Sequence, residues 1–425
     1  MTKLSSFAFA LCCVLGCSSH NGNDNGNPDG NKGNGDGSQA QQDAPTTPPG
    51  TDVIPLGTPT GDDQGSFYTI QFMASGGSFA MDLDTGSTST GVATSACTTC
   101  TGLSPLYMPG AMAMDTHMTA STQYADGSGW SGEIYSDKAG LGHGSPDLTL
   151  AFVGITDQTN FFAANEYQGI FGLGPTELLE TGTTSYLDLA TKAGTTPIMA
   201  FELCPTAGTM WLGGFDQSKM MGAPQYTPLI PISDQSPFYA VNLTDMGIGG
   251  TSLGFNSSTF QNPIVDTGTS LFYVPTAVQT ALISKVNASS GWTALFGTTK
   301  LSAKGSGCVT KAGVTAQMVD AMLPPMSMSF AGMNGGPDIT VSVAPTQSYL
   351  EDAGGGQFCL VVEGGGDNGN GTMGDTILRA FVTVVDLQHN QVGWGLDAGC
   401  APAAPIVRGP ITEHGHGPHH GHALR

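Results

Sequence analysis

The chain has 425 residues with 34 acidic and 12 basic side chains, and its formal net charge of −22 argues against a nucleic-acid partner. A hydrophobic content of 39% can fill a sizeable core, whereas 62 glycines and 26 prolines argue against a helical protein. Apart from residues 7–16, no apolar run approaches the ~20 residues that a helix needs to cross a bilayer, and an integral membrane protein is excluded on that count.

Taken in chain order, Met1 to Cys17 carries one basic residue, Lys3, then an apolar stretch from Phe7 to Gly16, then Cys17 followed by two serines. Residues 1–16 therefore read as an export signal removed before folding. The ending Val14-Leu15-Gly16-Cys17 resembles a bacterial lipoprotein lipobox. That implies lipidation of Cys17 and a chain held on the bacterial cell envelope by acyl groups rather than by a spanning segment. An ordinary secretory peptide cut after Ala10 is the alternative. Residues 17–60 then read as a flexible linker. Asn21 to Gly37 is Asn, Gly and Asp apart from Pro28 and Lys32, and Gln39 to Gly50 continues mostly with polar residues and prolines, too little apolar surface to fold. Asn25, Asn27, Asp29, Gly30 and Asp36 loosely mimic a calcium loop, but Pro28 intrudes and no closing Glu follows, so a tether is the reading kept. At the far end, residues 403–425 read as a solvated tail in which His414, His416, His419, His420 and His422 are separated mainly by Gly and Pro. No metal site and no cofactor is expected.

Between Gly61 and Cys400 short apolar or alternating runs are separated by Gly, Asn, Asp and Ser clusters. Phe67–Met73, Phe79–Leu83, Leu148–Val153, Ile339–Val343 and Phe381–Val385 read as strands, which predicts an all-β fold with short helices at Ser185–Lys192, Ala277–Val286 and Ala316–Met322. An internal repeat divides this region. Phe79-Ala-Met-Asp-Leu-Asp84-Thr85-Gly86-Ser87 is matched by Pro263-Ile-Val-Asp266-Thr267-Gly268-Thr269-Ser270. Each is followed about a hundred residues later by a glycine motif, Gly169-Ile-Phe-Gly172-Leu-Gly174 and Met373-Gly374-Asp375. Two similar lobes, 61–217 and 218–402, each bring one Asp to their interface.

A single Asp on a turn after a strand is ordinary turn chemistry. Two copies that meet are different, because like charges at short range cannot both ionise, so the pair shares a proton and offers an acid and a base together. The ionised member can take a proton from water while the protonated member polarises a carbonyl. Gly86 and Gly268 let a backbone N–H approach the carboxylates, and the hydroxyls of Ser87 and Thr269 can donate to the outer oxygens. Thr85 and Thr267, one position on and facing away, are placed to hydrogen-bond across the lobe interface.

On these residues the chain resembles a pepsin-family aspartic protease over nearly all of Gly61 to Cys400. Proton-sharing carboxylates are a known property of that family, so the like-charge argument is not independent of the resemblance. The resemblance implies a bilobal pepsin-like fold, catalysis by Asp84 and Asp266, and an extended polypeptide substrate lying between the lobes of a monomer. Tyr124-Ala125-Asp126-Gly127-Ser128, followed by Gly132, is similar to the family's flap hairpin, with Tyr124 covering the substrate and Ser270 contacting it. Met210–Asp216 resembles the segment joining the lobes. Met373-Gly-Asp375, Val382–Asp386 and Val392-Gly-Trp-Gly395 resemble the C-terminal signature. Gly91 stands where the family usually has a Trp that partners the flap Tyr, and Trp130 is the candidate substitute. Residues 18–60 contain only Lys32 as a basic residue, so a latched basic propeptide is not expected.

Beyond the signal and Cys17 there are six cysteines, an even set that predicts three disulfides in an exported chain while leaving fifteen pairings open. The family resemblance implies Cys97–Cys100 and Cys308–Cys359, and a bridge found in some membrane-associated relatives implies Cys204–Cys400. A zinc or redox reading of Cys97-Thr-Thr-Cys100 lacks a second pair at zinc spacing. His117, His143 and His389 are the only histidines of the globular region, no Gly-x-Ser-x-Gly elbow precedes a helix, and no His-Glu-x-x-His is present, so serine-hydrolase and metalloprotease chemistries fall away. The rival reading is a pepsin-like fold used as an inactive binding or inhibitor module. Both Asp-Thr-Gly motifs are intact, which favours the enzyme.

Overall fold

The computed structural model describes residues 47–57, 67–124, 127–162, 167–233, 236–304, 307–365 and 371–400. The export signal, Cys17, the linker up to residue 46, Ala125, Asp126 and the histidine-rich tail lie outside the described residues. Among those described, no helix is long and apolar enough to cross a membrane.

Alternation sets the strands. In Thr69–Ala74 the side chains of Ile70, Phe72 and Ala74 are buried while Gln71 and Met73 are exposed. Gly77–Asp84 returns beside it, placing Phe79 opposite Phe72 and Asp82 opposite Thr69. These two strands begin a seven-stranded sheet that continues through Gly169–Gly172, Gly91–Ala93, Leu148–Thr159, Gly129–Gly140 and Met114–Gln123. Within it the strand ending in Asp84 runs parallel to Gly169–Gly172, pairing Asp84 with Gly172. Gly91–Ala93 lies antiparallel on the other side of Gly169–Gly172 and parallel to Leu148–Thr159.

The second half repeats this arrangement with shorter strands. Ile264–Val265 runs parallel to Thr372–Met373, Phe272–Val274 is antiparallel on the other side, and Val362–Gly364 is parallel to Phe272–Val274. The repeat seen in the sequence is therefore also a repeat of strand order and direction. A six-stranded sheet takes three strands from each half, in the order Asp52–Leu56, Gly208–Leu212, Ile198–Leu203, Phe381–Asp386, Gln391–Leu396 and Gln225–Pro228. Its centre is the antiparallel pair Ile198–Leu203 and Phe381–Asp386, one strand from each half. The fold is mostly β and bilobal.

The first strand of that sheet corrects the linker boundary. Residues 17–60 read as tether, yet Asp52–Leu56 pairs with Gly208–Leu212, and its Ile54 and Leu56 are only 1% and 4% exposed. Pro55 is tolerated because this strand lies at the sheet edge, where a missing N–H leaves no ladder partner unpaired. Helices form at Tyr186–Lys192, where Ser185 accepts from Asp188 N at 3.2 Å, and at Ala316–Met322, capped by Thr315. The longest helix among the described residues, Thr276–Ala288, starts directly after Pro275. Ser290–Phe296 and Asp375–Leu378 are further helices that the sequence reading did not anticipate.

Candidate active site

Asp84 ends its strand and Asp266 directly follows Ile264–Val265, so both carboxylates sit where a strand gives way to a turn. They are nearly closed off from solvent, at 4% and 1% exposure. Gly86 N donates to Asp84 Oδ1 at 2.6 Å and Ser87 Oγ to Oδ2 at 2.5 Å. Gly268 N donates to Asp266 Oδ1 at 3.0 Å and Thr269 Oγ1 donates to Oδ2. Each carboxylate thus has one backbone and one hydroxyl donor, which favours its ionised form.

The intervening threonines bind one turn to the other. Thr85 Oγ1 donates to Val265 O at 2.9 Å and accepts from Thr267 N at 3.0 Å. Thr267 Oγ1 donates to Leu83 O at 2.6 Å and accepts from Thr85 N at 3.1 Å. Exchanging the two threonines reproduces the network, the local signature of a twofold relation between the turns. The approach is tight: a Cβ on Gly268 would lie 2.4 Å from Asp84 Oδ1, so the first carboxyl rests against the second turn. The glycine motifs serve the same closeness. A Cβ on Gly172 would come within 2.7 Å of Thr88 Cα, and one on Gly374 within 2.3 Å of Thr269 O.

Two further carboxyls stand by this pair, and their burial was missed in the sequence. Asp82 precedes Asp84 by two residues, which places both on one face of the strand, and Asp375 follows Gly374; both are 0% exposed. Burial pushes Asp82 well above the usual carboxylate range, and the neighbouring Asp84, Asp375 and Asp266 push it further. Burial likewise raises Asp375 strongly, with Arg379 offsetting part of the rise and Asp266 and Asp84 adding to it. Neither carboxyl meets a hydrogen-bond partner among the described residues. Arg379 is committed elsewhere as well, through Nε to Tyr68 OH at 3.0 Å and Nη1 to Glu351 Oε1 at 3.1 Å. The i−2 spacing of Asp82 from Asp84 was the signal available.

Met114–Gln123 and Gly129–Gly140 form a hairpin with Tyr124 at its tip, where Tyr124 N donates to Ser128 O at 2.8 Å and Gly127 turns the chain at φ +82°. Tyr124 is buried and stacks on Phe161, with centroids 5.6 Å apart and planes 15° from parallel. Trp130 Nε1 donates to its hydroxyl at 3.0 Å, and Ser87 meets the same hydroxyl. Ser270 is buried on the second turn, its carbonyl accepting from Thr376 N at 2.9 Å. The structure contains disulfides Cys97–Cys100, Cys204–Cys400 and Cys308–Cys359. Among the described residues Cys204, Asp397 and Cys400 bring three ligand atoms within 4.8 Å, but the two sulfurs are bonded to each other and offer no thiolate to a metal.

Residues 67–396 match the family model described as eukaryotic aspartyl protease. The chain is similar to an aspartic protease of Phaffia rhodozyma, 27% identical over 337 residues that cover 78% of this chain and 77% of that one. It is also similar to gastricsin of Homo sapiens, 27% identical over 323 residues covering 70% and 76% of the two chains. Aspergillopepsin-1 of Aspergillus pseudoglaucus is 25% identical over 346 residues, 80% of each chain.

Proposed function

The chain belongs to the eukaryotic aspartyl protease family, and from that premise we propose that it is an endopeptidase cutting extended or unfolded polypeptides with a water activated between Asp84 and Asp266 at acidic pH. The observation that supports this reading most is the reciprocal Thr85–Thr267 grip, which draws two like-equipped carboxylates onto facing turns. The ionised member of the pair takes a proton from water, the water attacks the scissile carbonyl, and the protonated member donates to the carbonyl oxygen; no covalent intermediate forms. The proton belongs to the pair rather than to either residue. Gly86, Ser87, Gly268 and Thr269 orient the carboxylates, Thr85 and Thr267 hold their separation, and the Tyr124 hairpin, through Ala125, Asp126, Gly127 and Ser128, closes over a substrate that Ser270 also contacts. An acidic optimum suits Asp82 and Asp375, which burial keeps neutral well above the ordinary carboxylate range.

The test is the pH–rate profile for cleavage of an unfolded protein by the exported chain, run beside Asp84→Asn and Asp266→Asn. Acid-side cleavage lost in both variants is the expected result. A folded, disulfide-intact preparation that cuts at no pH would instead point to a binding or inhibitor module on the same fold. We also propose that Cys17 is lipidated and anchors a monomer to the envelope surface, with the three disulfides suiting an oxidising compartment. A Cys17→Ala chain that stays as firmly membrane-attached as the parent would remove that part of the proposal.

A further inference from the structure

We propose that Gln158 is a positioning residue that ties the Cys97–Cys100 loop to the turn carrying Phe161, so that the disulfide loop sets where the Phe161 ring stands against Tyr124. The inference rests on the peptidase reading above and gives this loop a part in it.

Strand pairing brings the loop to its place. Gly91–Ala93 runs parallel to Leu148–Thr159, with Ala93 beside Ile155. Past Ala93 the two segments stay together through side chains. Thr94 Oγ1 donates to Ile155 O at 2.9 Å. Thr99 Oγ1 donates to Asp157 Oδ1 and accepts from Gln158 N, both at 2.9 Å. Thr98 and Thr99 are the whole interior of the loop closed by Cys97–Cys100, whose Cα atoms are 5.4 Å apart, so Thr99 stays in this turn while the bridge is intact.

Gln158 spans from that loop to the aromatic cluster, and its amide uses both ends. Nε2 donates to Thr99 O at 3.0 Å, while Oε1 accepts from Phe161 N at 2.8 Å and from Phe162 N at 3.3 Å. Between Gln158 and these amides the chain turns at Asn160, with φ +51°. The Phe161 backbone is thus held on both sides, its N–H by Gln158 and its carbonyl by the Tyr167 hydroxyl at 2.7 Å. That fixes a ring stacked on Tyr124 and edge-on to Phe162, with centroids 4.8 Å apart in the second contact. Cys100 belongs to the same cluster of buried side chains as Phe161 and Tyr124. A glutamine that only closed its own turn would need its acceptor end alone. The donor end adds nothing to the turn, and it is the end that engages the disulfide loop.

The experiment reads kcat, KM and both limbs of the pH profile for peptide cleavage by the full chain and four variants: Gln158→Leu, Gln158→Glu, Cys97→Ser with Cys100→Ser, and Gln158→Leu added to that opened bridge. Gln158→Leu is expected to raise KM about fivefold, on the scale of one net hydrogen bond, with kcat within about twofold. The pH limbs should not move, because no bond to Asp84 or Asp266 is touched. Gln158→Glu keeps an acceptor for Phe161 and Phe162 but turns an oxygen toward Thr99 O, so it should raise KM about threefold, and the opened bridge should do likewise. The combined variant should be no worse than Gln158→Leu alone, because all act through one link. Parent KM in Gln158→Glu or in the opened bridge would reduce Gln158 to a brace of its own turn and overturn the proposal. Effects that multiply in the combined variant, or a loss confined to kcat, would overturn it too. If Gln158→Leu folds poorly, the opened bridge decides by itself. A parent chain that cuts nothing would sink the peptidase reading, which is a separate outcome.

Discussion

Around Asp84 and around Asp266 the first bonds correspond atom for atom: a glycine N–H on one oxygen, a hydroxyl on the other, and a threonine that crosses to the opposite turn. Beyond those atoms the two surroundings diverge. Asp84 ends an eight-residue strand of a seven-stranded sheet and faces a hairpin with an aromatic cluster of Tyr124, Trp130, Phe161, Phe162 and Tyr167. Asp266 follows a two-residue strand, and beside it stand the short helix Asp375–Leu378 and the half-buried cation Arg379. The shared atoms are the ones that two carboxylates need in order to sit close and dry. The unshared ones are free to control access on one side and charge on the other.

The shared part breaks hardest at Gly268. Gly268→Ala places a methyl 2.4 Å from Asp84 Oδ1, against a side chain already held by Gly86 and Ser87. The carboxyl must rotate or the turns must part, and a displacement near 1 Å at reacting groups costs on the order of a hundredfold in kcat. Steady-state kinetics on the folded variant checks this; a loss under about threefold, less than ~0.7 kcal/mol, would mean that the turns have slack to give. Next come the threonines. Thr85→Val and Thr267→Val each strand one buried carbonyl and one buried N–H, for about 2–4 kcal/mol of stability apiece. Denaturant midpoints should fall equally for the two variants. A markedly unequal pair would break the twofold relation between the turns.

The unshared part is sharpened by pH. Asp82 and Asp375 have folded-state affinities for protons above those of an unfolded chain, so their contribution to stability is complete below the ordinary carboxylate value of 3.8 and is lost as pH rises toward the folded values. Each can tilt stability by up to about 1.4 kcal/mol per pH unit across that window. Asp82→Asn and Asp375→Asn should therefore raise the melting temperature at pH 6–7 while changing it little at pH 3. The gain should be larger for Asp82, because Arg379 already offsets part of the cost at Asp375. Equal gains would mean that Arg379 is occupied fully by Glu351 and Tyr68.

What the sequence displayed and what it concealed divide along local and non-local causes. The Asp-Thr-Gly turns are legible because a short motif at a strand end carries its own chemistry, and the threonines because one position along a strand turns to the other face. Asp82 was concealed by the same alternation. In Gly77–Asp84 the apolar Phe79, Met81 and Leu83 are buried, so Asp82 reads as the solvent side, yet both faces are buried at the strand's end. Only the tertiary fold closes the second face. Asp52–Leu56 was concealed because a proline-bearing run reads as tether until Gly208–Leu212, far along the chain, supplies its ladder. Gly91 was visible as a departure and Trp130 as its candidate substitute, but not that the two meet, a Cβ at Gly91 lying 3.6 Å from Trp130 Cζ2.

The smallest expected effect concerns the hydroxyls that differ between the turns. Ser87 and Thr269 each donate to the Oδ2 of their own aspartate, and a methyl group is all that separates them. Ser87→Thr with Thr269→Ser keeps both donors, so kcat/KM should stay within about threefold of the parent, less than ~0.7 kcal/mol. The two single exchanges need not be equal. Thr269 is 1% exposed, so Thr269→Ser removes a packed methyl and costs stability, whereas Ser87→Thr adds one next to the Tyr124 hydroxyl. A crowded Tyr124 would show as a raised KM, because the hairpin and not the carboxylate pair would be disturbed. If Ser87→Thr instead lowered kcat at constant KM, the methyl would be disturbing the hydrogen bond to Asp84, and the difference between the turns would reach into the very atoms in which they correspond.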